Sequence, residues 1–443
     1  MGLDKHTDIF AQPQTVDFAG SDSPVWRQWE RWEIGGVLAL ALAVRWLTIA
    51  HYGLGLNLHS DDQGYMNSAL HFLQNGMITY YKGNLPTMHM MPGMTFWLAG
   101  LFWLFGTGPW GLLLAKYVTA VVGVLGVFGV YLLARRIFGH VAGLVGALLA
   151  AMYPPGILTD TLFLTETPFL ASFAFLLYFS HRLAHRHDWP DFFGALICYI
   201  IALFFRPTVA LYPVVLLFYF LWKRHSTVRL WKQAGVGALI VLAVMTPWWV
   251  RNYHDFHHFV PLDDGSGNPL LLGTYQGVGY PDQLTFQQTL KQIAIDYPVV
   301  GKDPAAHEEQ WMNLQQKVAE QRMGQWWKNN KMSFLYSYLV LKPLTLWQDP
   351  FYWIPILRIP QSVVRWMQWK LVILGGLGYL VTLVWQPRSR QDTVWILATF
   401  VYYTVLYAAY FCFGRYSEPL MPLVMTGIGA GGVTLWQRLR RLL

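Results

Sequence analysis

Long apolar runs separated by short polar stretches recur along most of this sequence. Several of them reach about 20 residues, the length that a helix needs to cross the hydrocarbon core of a bilayer, and others are shorter or bounded by proline. The pattern therefore predicts about ten membrane-spanning helices. We place them at 34–52, 110–133, 141–153, 162–181, 192–205, 208–222, 234–250, 367–385, 394–413 and 420–436.

Lysine and arginine are concentrated in the short loops between these runs. Short cytoplasmic loops of membrane proteins are enriched in these residues, so we expect all the clusters on the cytoplasmic side. This orientation leaves two large external segments, about 53–109 and 251–365. The clusters are Arg135 with Arg136, 182–186, Lys223 with Arg224, Arg229 and Lys232, Arg388 with Arg390, and 438–441.

Two apolar segments are not expected to cross the membrane in this arrangement. Residues 94–105 are too few to span comfortably, which favours an interfacial helix. Residues 332–347 are interpreted as a re-entrant or surface segment, with one or two further spans there as the alternative, and the polar helical stretch 276–331 as a lid. The chain then divides into a cytoplasmic segment (1–33), a transmembrane module (34–250), an external region (251–365) and C-terminal helices (366–443).

The composition supports a membrane protein. With 54% hydrophobic and 13% charged residues, the chain has more apolar surface than one soluble core can hide. The net charge of +8 is therefore interpreted as a topology signal and not as a nucleic-acid site. Cys198 and Cys412 both lie in apolar spans, which argues against a disulfide framework or a cysteine metal site. The first thirty residues lack the apolar centre of a cleavable signal peptide, so the first span should direct the chain to the membrane.

An acidic pair, Asp61 and Asp62, opens a predicted helix just beyond the first span. Acids at such a position cap a helix N-terminus, which is a sufficient structural reason for them. The functional alternative is a general base. A hydroxyl that attacks an anomeric carbon becomes acidic only in the transition state, so a carboxylate within hydrogen-bond reach removes its proton as the new bond forms.

From this motif onward the sequence resembles the GT-C superfamily of membrane glycosyltransferases, in particular the branch of bacterial aminoarabinose transferases and protein O-mannosyltransferases. The first external loop of that branch carries an aspartate, a second acid and a tyrosine, here Asp61-Asp62-Gln63-Gly64-Tyr65. Each motif is short, but their order covers most of the chain. The others are Ala69, Gly76, Pro92-Gly93, Arg135-Arg136-Ile137-Phe138-Gly139, Thr246-Pro247-Trp248-Trp249-Val250-Arg251-Asn252-Tyr253 and Arg415-Tyr416-Ser417-Glu418-Pro419-Leu420-Met421-Pro422.

The resemblance implies an all-helical GT-C bundle of about 10 to 12 transmembrane helices, with interfacial helices in the first external loop and an inverting transfer. It aligns Asp61 with the catalytic aspartate and Asp62 with its acidic neighbour. Glu166 occupies the place of a further acid in the next external turn, and Asp160 is a nearby rival. Both also fit the plain interpretation of an acid favoured by a helix N-terminus.

A lipid-phosphate leaving group requires positive charge or hydrogen-bond donors where its own charge develops. The predicted outer side offers several such residues. Met90 and Met91 replace an acid and a lysine of the aminoarabinose-transferase pattern, so His89 is expected to substitute there. Arg206 also fits an arginine that merely extends to water. The candidates for donor binding are Tyr65, Lys82, His89, Arg206, Arg251, Asn252, Arg415 and Tyr416.

Metal dependence stays open at this stage. His59, Asp61, Asp62 and Glu166 could supply ligands for a divalent ion, but carboxylates with one histidine are not a tight metal motif. We therefore assign no metal ligand and no cofactor. The histidines at 254, 257 and 258 are interpreted as part of a solvated interfacial loop. Arg45 lies within the first span and should face the bundle interior with a partner.

The sequence therefore predicts a hexosyl- or pentosyltransferase in the plasma or inner membrane that takes a sugar from a polyprenyl phosphate on the outer face. The acceptor, whether lipid, glycan or protein, is left open. A flippase for lipid-linked sugars is the first alternative, although the paired halves typical of transporters are not evident. A membrane acyltransferase or polysaccharide polymerase is a third interpretation, but no nucleophile arrangement centred on histidine lies in the spans.

Overall fold

The computed structural model describes residues 27–80 and 85–443, and in these ranges the chain is helical with no β-strand. Most of the segment 1–33 and the candidate Lys82 therefore lie outside the described residues. Within them, the predicted all-α architecture is confirmed.

The first half of the chain forms ten helices in the described part. They are α1 (Gln28–Tyr52), α2 (Asp61–Asn75), α3 (Gly93–Phe105), α4 (Pro109–Phe138), α5 (His140–Ala151), α6 (Pro154–Asp160), α7 (Glu166–Arg186), α8 (Trp189–Phe205), α9 (Tyr212–Trp222) and α10 (Thr227–Phe256).

The second half contributes ten more helices, of which the first six belong to the predicted external region. They are α11 (Gly267–Gly273), α12 (Phe286–Asp296), α13 (Pro298–Lys302), α14 (Glu308–Asn329), α15 (Lys331–Tyr336), α16 (Lys342–Gln348), α17 (Gln361–Trp385), α18 (Arg390–Ala409), α19 (Gly414–Ser417) and α20 (Met421–Arg440). A π-helical turn at Ser337–Leu341 joins α15 to α16.

Among the described residues, six helices are long and apolar enough to cross a membrane: α1, α4, α10, α17, α18 and α20. The pair α5 and α6 makes a seventh if it counts as one span, bent by 65° where Pro154 begins the second helix. The apolar helices α3, α8 and α9 are shorter. The number of about ten spans therefore stays a prediction, as does the interfacial position of the 13-residue α3.

Close packing of α17 on α20 forms one part of the bundle core and depends on glycine. A Cβ atom built on Gly378 would lie 1.9 Å from the backbone oxygen of Gly427, and one on Gly427 would lie 2.4 Å from the oxygen of Gly375. No other residue fits such a spacing, because small residues are what allow two helix backbones to approach this closely.

The basic clusters meet at one end of the bundle. Arg135, at the end of α4, pairs with Glu30 of α1 at 2.6 Å, and Arg229 donates to the backbone of His187 at 2.8 Å. Gln391, beside Arg390, reaches the backbone of the residue that precedes Lys223. At the opposite end lie the start of α7, the end of α8, the start of α20 and the two large segments predicted to be external, about 53–109 and 251–365. This arrangement agrees with the predicted orientation, whose cytoplasmic assignment remains a prediction.

Candidate active site

Asp61 is the first residue of α2 and lies at the end of the bundle opposite the basic clusters. Its Oδ1 accepts a hydrogen bond from the Tyr80 hydroxyl at 2.7 Å, and its Oδ2 is paired with Nη1 of Arg415. The close approach of Tyr80 requires Gly64, since a Cβ there would lie 2.7 Å from the tyrosine ring. The Asp61 side chain remains 34% exposed, so a substrate can reach it.

Asp62 has a different environment from its neighbour. Its carboxylate accepts three backbone N–H groups, from Leu58 at 2.7 Å, Ser60 at 3.2 Å and Gln63 at 3.0 Å, and the residue is buried. Lys116 of α4 supports the same loop by donating to two backbone carbonyls. The structural alternative for Asp62, that it holds the start of the helix, therefore accounts for all its contacts.

Glu166 begins α7 and is fully buried. Arg415 grips it with two nitrogens, Nε at 2.5 Å from Oε1 and Nη2 at 3.1 Å from Oε2, while Nη1 of Arg206 lies 3.2 Å from Oε1. This is the bidentate geometry in which arginine binds carboxylates most strongly. Asp61 and Glu166, which are distant in sequence, are thus joined through Arg415.

Arg206 is the residue that follows α8, and it is buried rather than extended to water. Its guanidinium lies between two aromatic rings, 5.8 Å from the centroid of Phe169 and 5.4 Å from that of Tyr416. Tyr416 in turn stacks on Tyr407 with ring centroids 4.8 Å apart. Aromatic faces attract a guanidinium electrostatically, so these rings fix the position of Arg206. We call Asp61, Tyr80, Glu166, Arg206 and Arg415 the Arg415 cluster.

The electrostatics of the cluster favour an ionised Asp61. Burial raises the pKa of its carboxyl, but Arg415 and the hydrogen bond from Tyr80 outweigh this effect and hold the pKa below its usual value. Burial lowers the pKa of His89, against the opposite effect of Asp61, so this imidazole is neutral near pH 7. Tyr65, one turn along α2, faces Tyr80 at 6.0 Å between ring centroids, and burial raises the pKa of its hydroxyl.

Arg251 and Asn252 are not part of this cluster. Arg251 donates to the backbone oxygens of Thr87 at 2.7 Å and Ile78 at 3.3 Å, and its Nε lies 2.9 Å from Asp255. Asn252 is buried and donates to the backbone of Val260 at 3.4 Å. Arg251 therefore ties the first external loop to α10, and Asn252 ties the segment after α10 to the same helix.

An apolar pocket of about 290 Å³ lies beside Arg251. It opens between the end of α2, the start of α3, the end of α8 and α10, and Asp255 is at its polar edge together with Arg251. Its apolar lining includes Phe72, Ile78, Phe96, Phe204, Pro247 and Trp248.

A second buried ion pair joins Arg45 of α1 to Asp160 of α6. Nε of Arg45 is 2.6 Å from Oδ2 of Asp160, whose Oδ1 accepts from Thr167 at 2.7 Å. The prediction that Arg45 faces the interior with a partner is therefore confirmed. The pairing with Arg45 gives Asp160 a structural explanation. Glu166 differs from Asp160, because the arginine that binds Glu166 also binds Asp61.

Two residues of this region were not among the predicted site residues. Tyr80 lies in the first external loop, where no local pattern distinguishes it from Tyr81. Glu418 is buried near Tyr153 and Gly156, at the start of α20. Glu418 belongs to the motif that begins at Arg415. An ionisable residue in such a motif of a membrane protein is the signal that could have identified it as a site residue.

The four residues considered as ligands for a divalent ion are only partly gathered. His59 is exposed, Asp62 is saturated by backbone donors, and Asp61 and Glu166 are both bound to Arg415. His254 is also exposed and lies 2.8 Å from Asp255. In the described residues, the guanidinium of Arg415 lies between the carboxylates of Asp61 and Glu166.

Comparison with known proteins gives one family match. Residues 90–250 match a family described as dolichyl-phosphate-mannose-protein mannosyltransferase. No match was found among curated proteins.

Solved structures of low sequence identity match this chain, and the two whose TM-scores exceed 0.5 share its fold. The apo oligosaccharyltransferase of Archaeoglobus fulgidus is 15% identical, with a TM-score of 0.54, over 93% of this chain and 51% of that one. AglB of the same organism, in complex with an inhibitory peptide and a dolichol-phosphate, is 14% identical, with a TM-score of 0.52, over 94% and 52%. ArnT from Cupriavidus metallidurans bound to undecaprenyl phosphate is 15% identical, with a TM-score of 0.44, over 91% and 78%.

The chain thus spans about half the length of the archaeal oligosaccharyltransferases that it matches. The resemblance to GT-C glycosyltransferases is confirmed by the family match together with the shared helical fold.

Proposed function

We propose that this protein is a membrane glycosyltransferase that transfers a sugar from a polyprenyl phosphate to an acceptor on the non-cytoplasmic face. The observation that carries the proposal is the Arg415 cluster, where an accessible ionised aspartate and a buried glutamate share one arginine at the end of a membrane bundle. This is a site with a base for a hydroxyl and guanidinium groups for a phosphate.

In the proposed reaction Asp61 acts as the general base. An acceptor hydroxyl, or another nucleophile bearing a proton, attacks the anomeric carbon of the donor while its proton passes to Oδ1 or Oδ2 of Asp61. The bond from the anomeric carbon to the phosphate oxygen breaks, and its electron pair stays on that oxygen. A single displacement of this kind inverts the configuration at the anomeric carbon.

Arg415 and Arg206 stabilise the leaving group. The donor is a phosphodiester with one negative charge, and the released monoester carries nearly two at neutral pH, so negative charge develops on the phosphate as the bond breaks. Both guanidiniums now face carboxylates, and Arg415 must turn part of its fork from Asp61 to the phosphate. Once that contact weakens, burial dominates the environment of Asp61 and makes it a stronger base.

The remaining predicted residues take supporting roles. Tyr416 positions Arg206 through its ring, Tyr65 and His89 line the space around Asp61, and Lys82 belongs to the same external loop. The apolar pocket next to Arg251 provides a lateral surface for the lipid tail, with Arg251 and Asn252 holding the loop beside it. Asp62 maintains the helix start that presents Asp61.

The proteins that are similar to this chain are compatible with the proposed function. AglB was solved with a dolichol-phosphate and a peptide, and the matching family is described by a dolichyl-phosphate sugar donor and a protein acceptor. We extend only the lipid-phosphate donor to this chain. The sugar and the acceptor depend on the shape of the external loops and are left open.

The decisive experiment compares the wild type with Asp61→Asn in lipid nanodiscs. Each protein is incubated with a panel of radiolabelled polyprenyl-phosphate sugars and crude membrane acceptors, with and without a chelator. We expect transfer by the wild type and a loss of at least about a hundredfold in the variant, the scale of general-base catalysis, with donor binding retained.

The outcomes separate the alternatives. Asp349→Asn serves as a matched control, because this half-exposed aspartate lies at the end of α16, outside the Arg415 cluster. Transfer that survives in Asp61→Asn would assign the base to Glu166 or Asp62. Transport of lipid-linked sugar across vesicles, without transfer to any acceptor, would replace the proposal by the flippase.

A further inference from the structure

Two histidines and an aspartate converge at the end of the bundle opposite the Arg415 cluster. His181 and His185 are one turn apart on α7, so their side chains share a face, and their ring centroids are 4.3 Å apart. Asp392 belongs to the first turn of α18. Fifteen residues of helix separate His181 from Glu166, which corresponds to about 22 Å along α7. These residues therefore cannot take part in the proposed transfer.

The spacing of their donor atoms approaches that of a metal site. One nitrogen of each histidine and one carboxylate oxygen of Asp392 all lie within 4.8 Å of one another. Zinc holds nitrogen and oxygen ligands at about 2.0–2.2 Å in tetrahedral geometry, which places the ligand atoms roughly 3.3 Å apart. Side-chain rotations that move the donor atoms by about 1 Å would bring them to this ligand spacing without moving either helix.

Neighbouring groups already orient two of the three ligands. Nδ1 of His185 lies 2.8 Å from the backbone oxygen of His181. Since a carbonyl oxygen only accepts, Nδ1 carries the proton and Nε2 keeps its lone pair. Oδ1 of Asp392 accepts from the Tyr219 hydroxyl at 2.7 Å, which leaves Oδ2 directed to His181. Such contacts from a second layer of residues are what fix ligands in metal sites.

His181 supplies an independent observation. The residue is 4% exposed, and Nε2 is the nitrogen that faces Asp392, 3.7 Å from Oδ2 and too long for a good hydrogen bond. This separation is close to the roughly 3.3 Å between two ligand atoms of one tetrahedral zinc ion, so Nε2 and Oδ2 are placed to share an ion.

We propose that His181, His185 and Asp392 bind a transition-metal ion of the zinc type and thereby clip α7 to α18 at the predicted cytoplasmic end. Two imidazoles and one carboxylate suit Zn²⁺ or Co²⁺ better than Mg²⁺ or Ca²⁺, which prefer oxygen ligands. One water completes a tetrahedral shell.

Lys223, just past α9, competes with the metal. Its Nζ lies 2.7 Å from Oδ1 of Asp392 and 3.4 Å from Nε2 of His185, so the ammonium bridges two of the ligands. Metal binding must displace it, and the flexible stem of a lysine at a helix end allows the group to turn to water. Removing this lysine should therefore strengthen metal binding, whereas an ion-pair cluster with no metal function would only lose stability.

The test uses the full-length protein without a polyhistidine tag, stripped with a chelator and purified in detergent. Zn²⁺ is titrated by calorimetry, and Co²⁺ by its visible absorption. We expect one ion per chain. His185→Gln, at an exposed ligand, should weaken binding at least tenfold, and Lys223→Met should strengthen it at least tenfold. Zn²⁺ should raise the thermal unfolding temperature of the wild type but not of His185→Gln.

His187→Gln is the matched control, since His187 lies in the same turn and contacts His225 instead of Asp392. Its metal affinity should equal that of the wild type. The proposal is overturned if neither ion binds, if His187→Gln removes binding while His185→Gln retains it, or if Lys223→Met binds no more tightly than the wild type.

Discussion

Replacing Arg415 tests whether its positive charge controls the protonation of Asp61. In the wild type, the pKa of Asp61 lies below its usual value of 3.8, because Arg415 and Tyr80 outweigh burial. A general base works only when ionised, so this group should produce no fall in activity between pH 5 and pH 8. In Arg415→Gln the lowering influence is lost while burial remains, and the acid limb of the pH profile should move upward.

The structure sets the size of this change. Two unit charges about 4 Å apart at an effective dielectric constant of 20 interact by about 4 kcal/mol. Because one third of the Asp61 side chain is exposed, solvent screening reduces this to roughly 1.5–3 kcal/mol. The proton affinity of Asp61 should therefore rise by about tenfold to a hundredfold, which displaces the acid limb by about one to two pH units.

The assay is kcat/KM for sugar transfer as a function of pH, which reports groups of the free enzyme. Arg415→Lys is the matched control, since lysine keeps the charge and loses the fork. It should lower the rate while leaving the acid limb near its wild-type position. If Arg415→Gln lowers the rate equally at every pH, Arg415 does not control Asp61. A limb that moves in Arg415→Lys as far as in Arg415→Gln would mean that geometry rather than charge is responsible.

Two further predictions concern stability. Arg45→Met leaves the buried Asp160 without its charge partner and should cost about 3–5 kcal/mol of unfolding free energy. The double variant Arg45→Met/Asp160→Asn should recover most of this loss. Thermal unfolding in one detergent measures both, and an Arg45→Met protein as stable as the wild type would contradict the prediction. Gly378→Ala forces a backbone of α20 away and should cost about 1–3 kcal/mol in the same measurement, whereas Gly376→Ala, with nothing within 4 Å, should be neutral. Equal stability of the two glycine variants would refute the packing argument.

The helices could be predicted from the sequence because a bilayer imposes a minimum length on apolar segments. The predicted segment 110–133 lies within α4, and 367–385 lies within α17. These two helices extend beyond their apolar runs by several residues, since polar residues at the membrane surface continue a helix without interrupting its hydrogen bonds. The break between α5 and α6 was visible as Pro154.

The contacts of the site could not be predicted in the same way. Arg415 and Asp61 are 354 positions apart, and no local pattern relates their side chains. Arg251 shows the opposite case. Its motif suggested a phosphate ligand, yet in the structure it satisfies backbone oxygens of Ile78 and Thr87, which have no helix of their own to pair with. Motif position therefore identified residues near the site but not the direction in which each side chain points.

The charge balance of the Arg415 cluster implies an order of events in the proposed reaction. Two guanidiniums now face two carboxylates, so the cluster is neutral before a donor arrives. A phosphodiester must attract Arg415 away from Asp61, and the buried Glu166 keeps the other side of the fork in place while this happens. Asp61 then becomes a better base only when the sugar donor is bound. An acceptor that enters first meets a weak base held by arginine, which suppresses proton transfer until the anomeric carbon is in position.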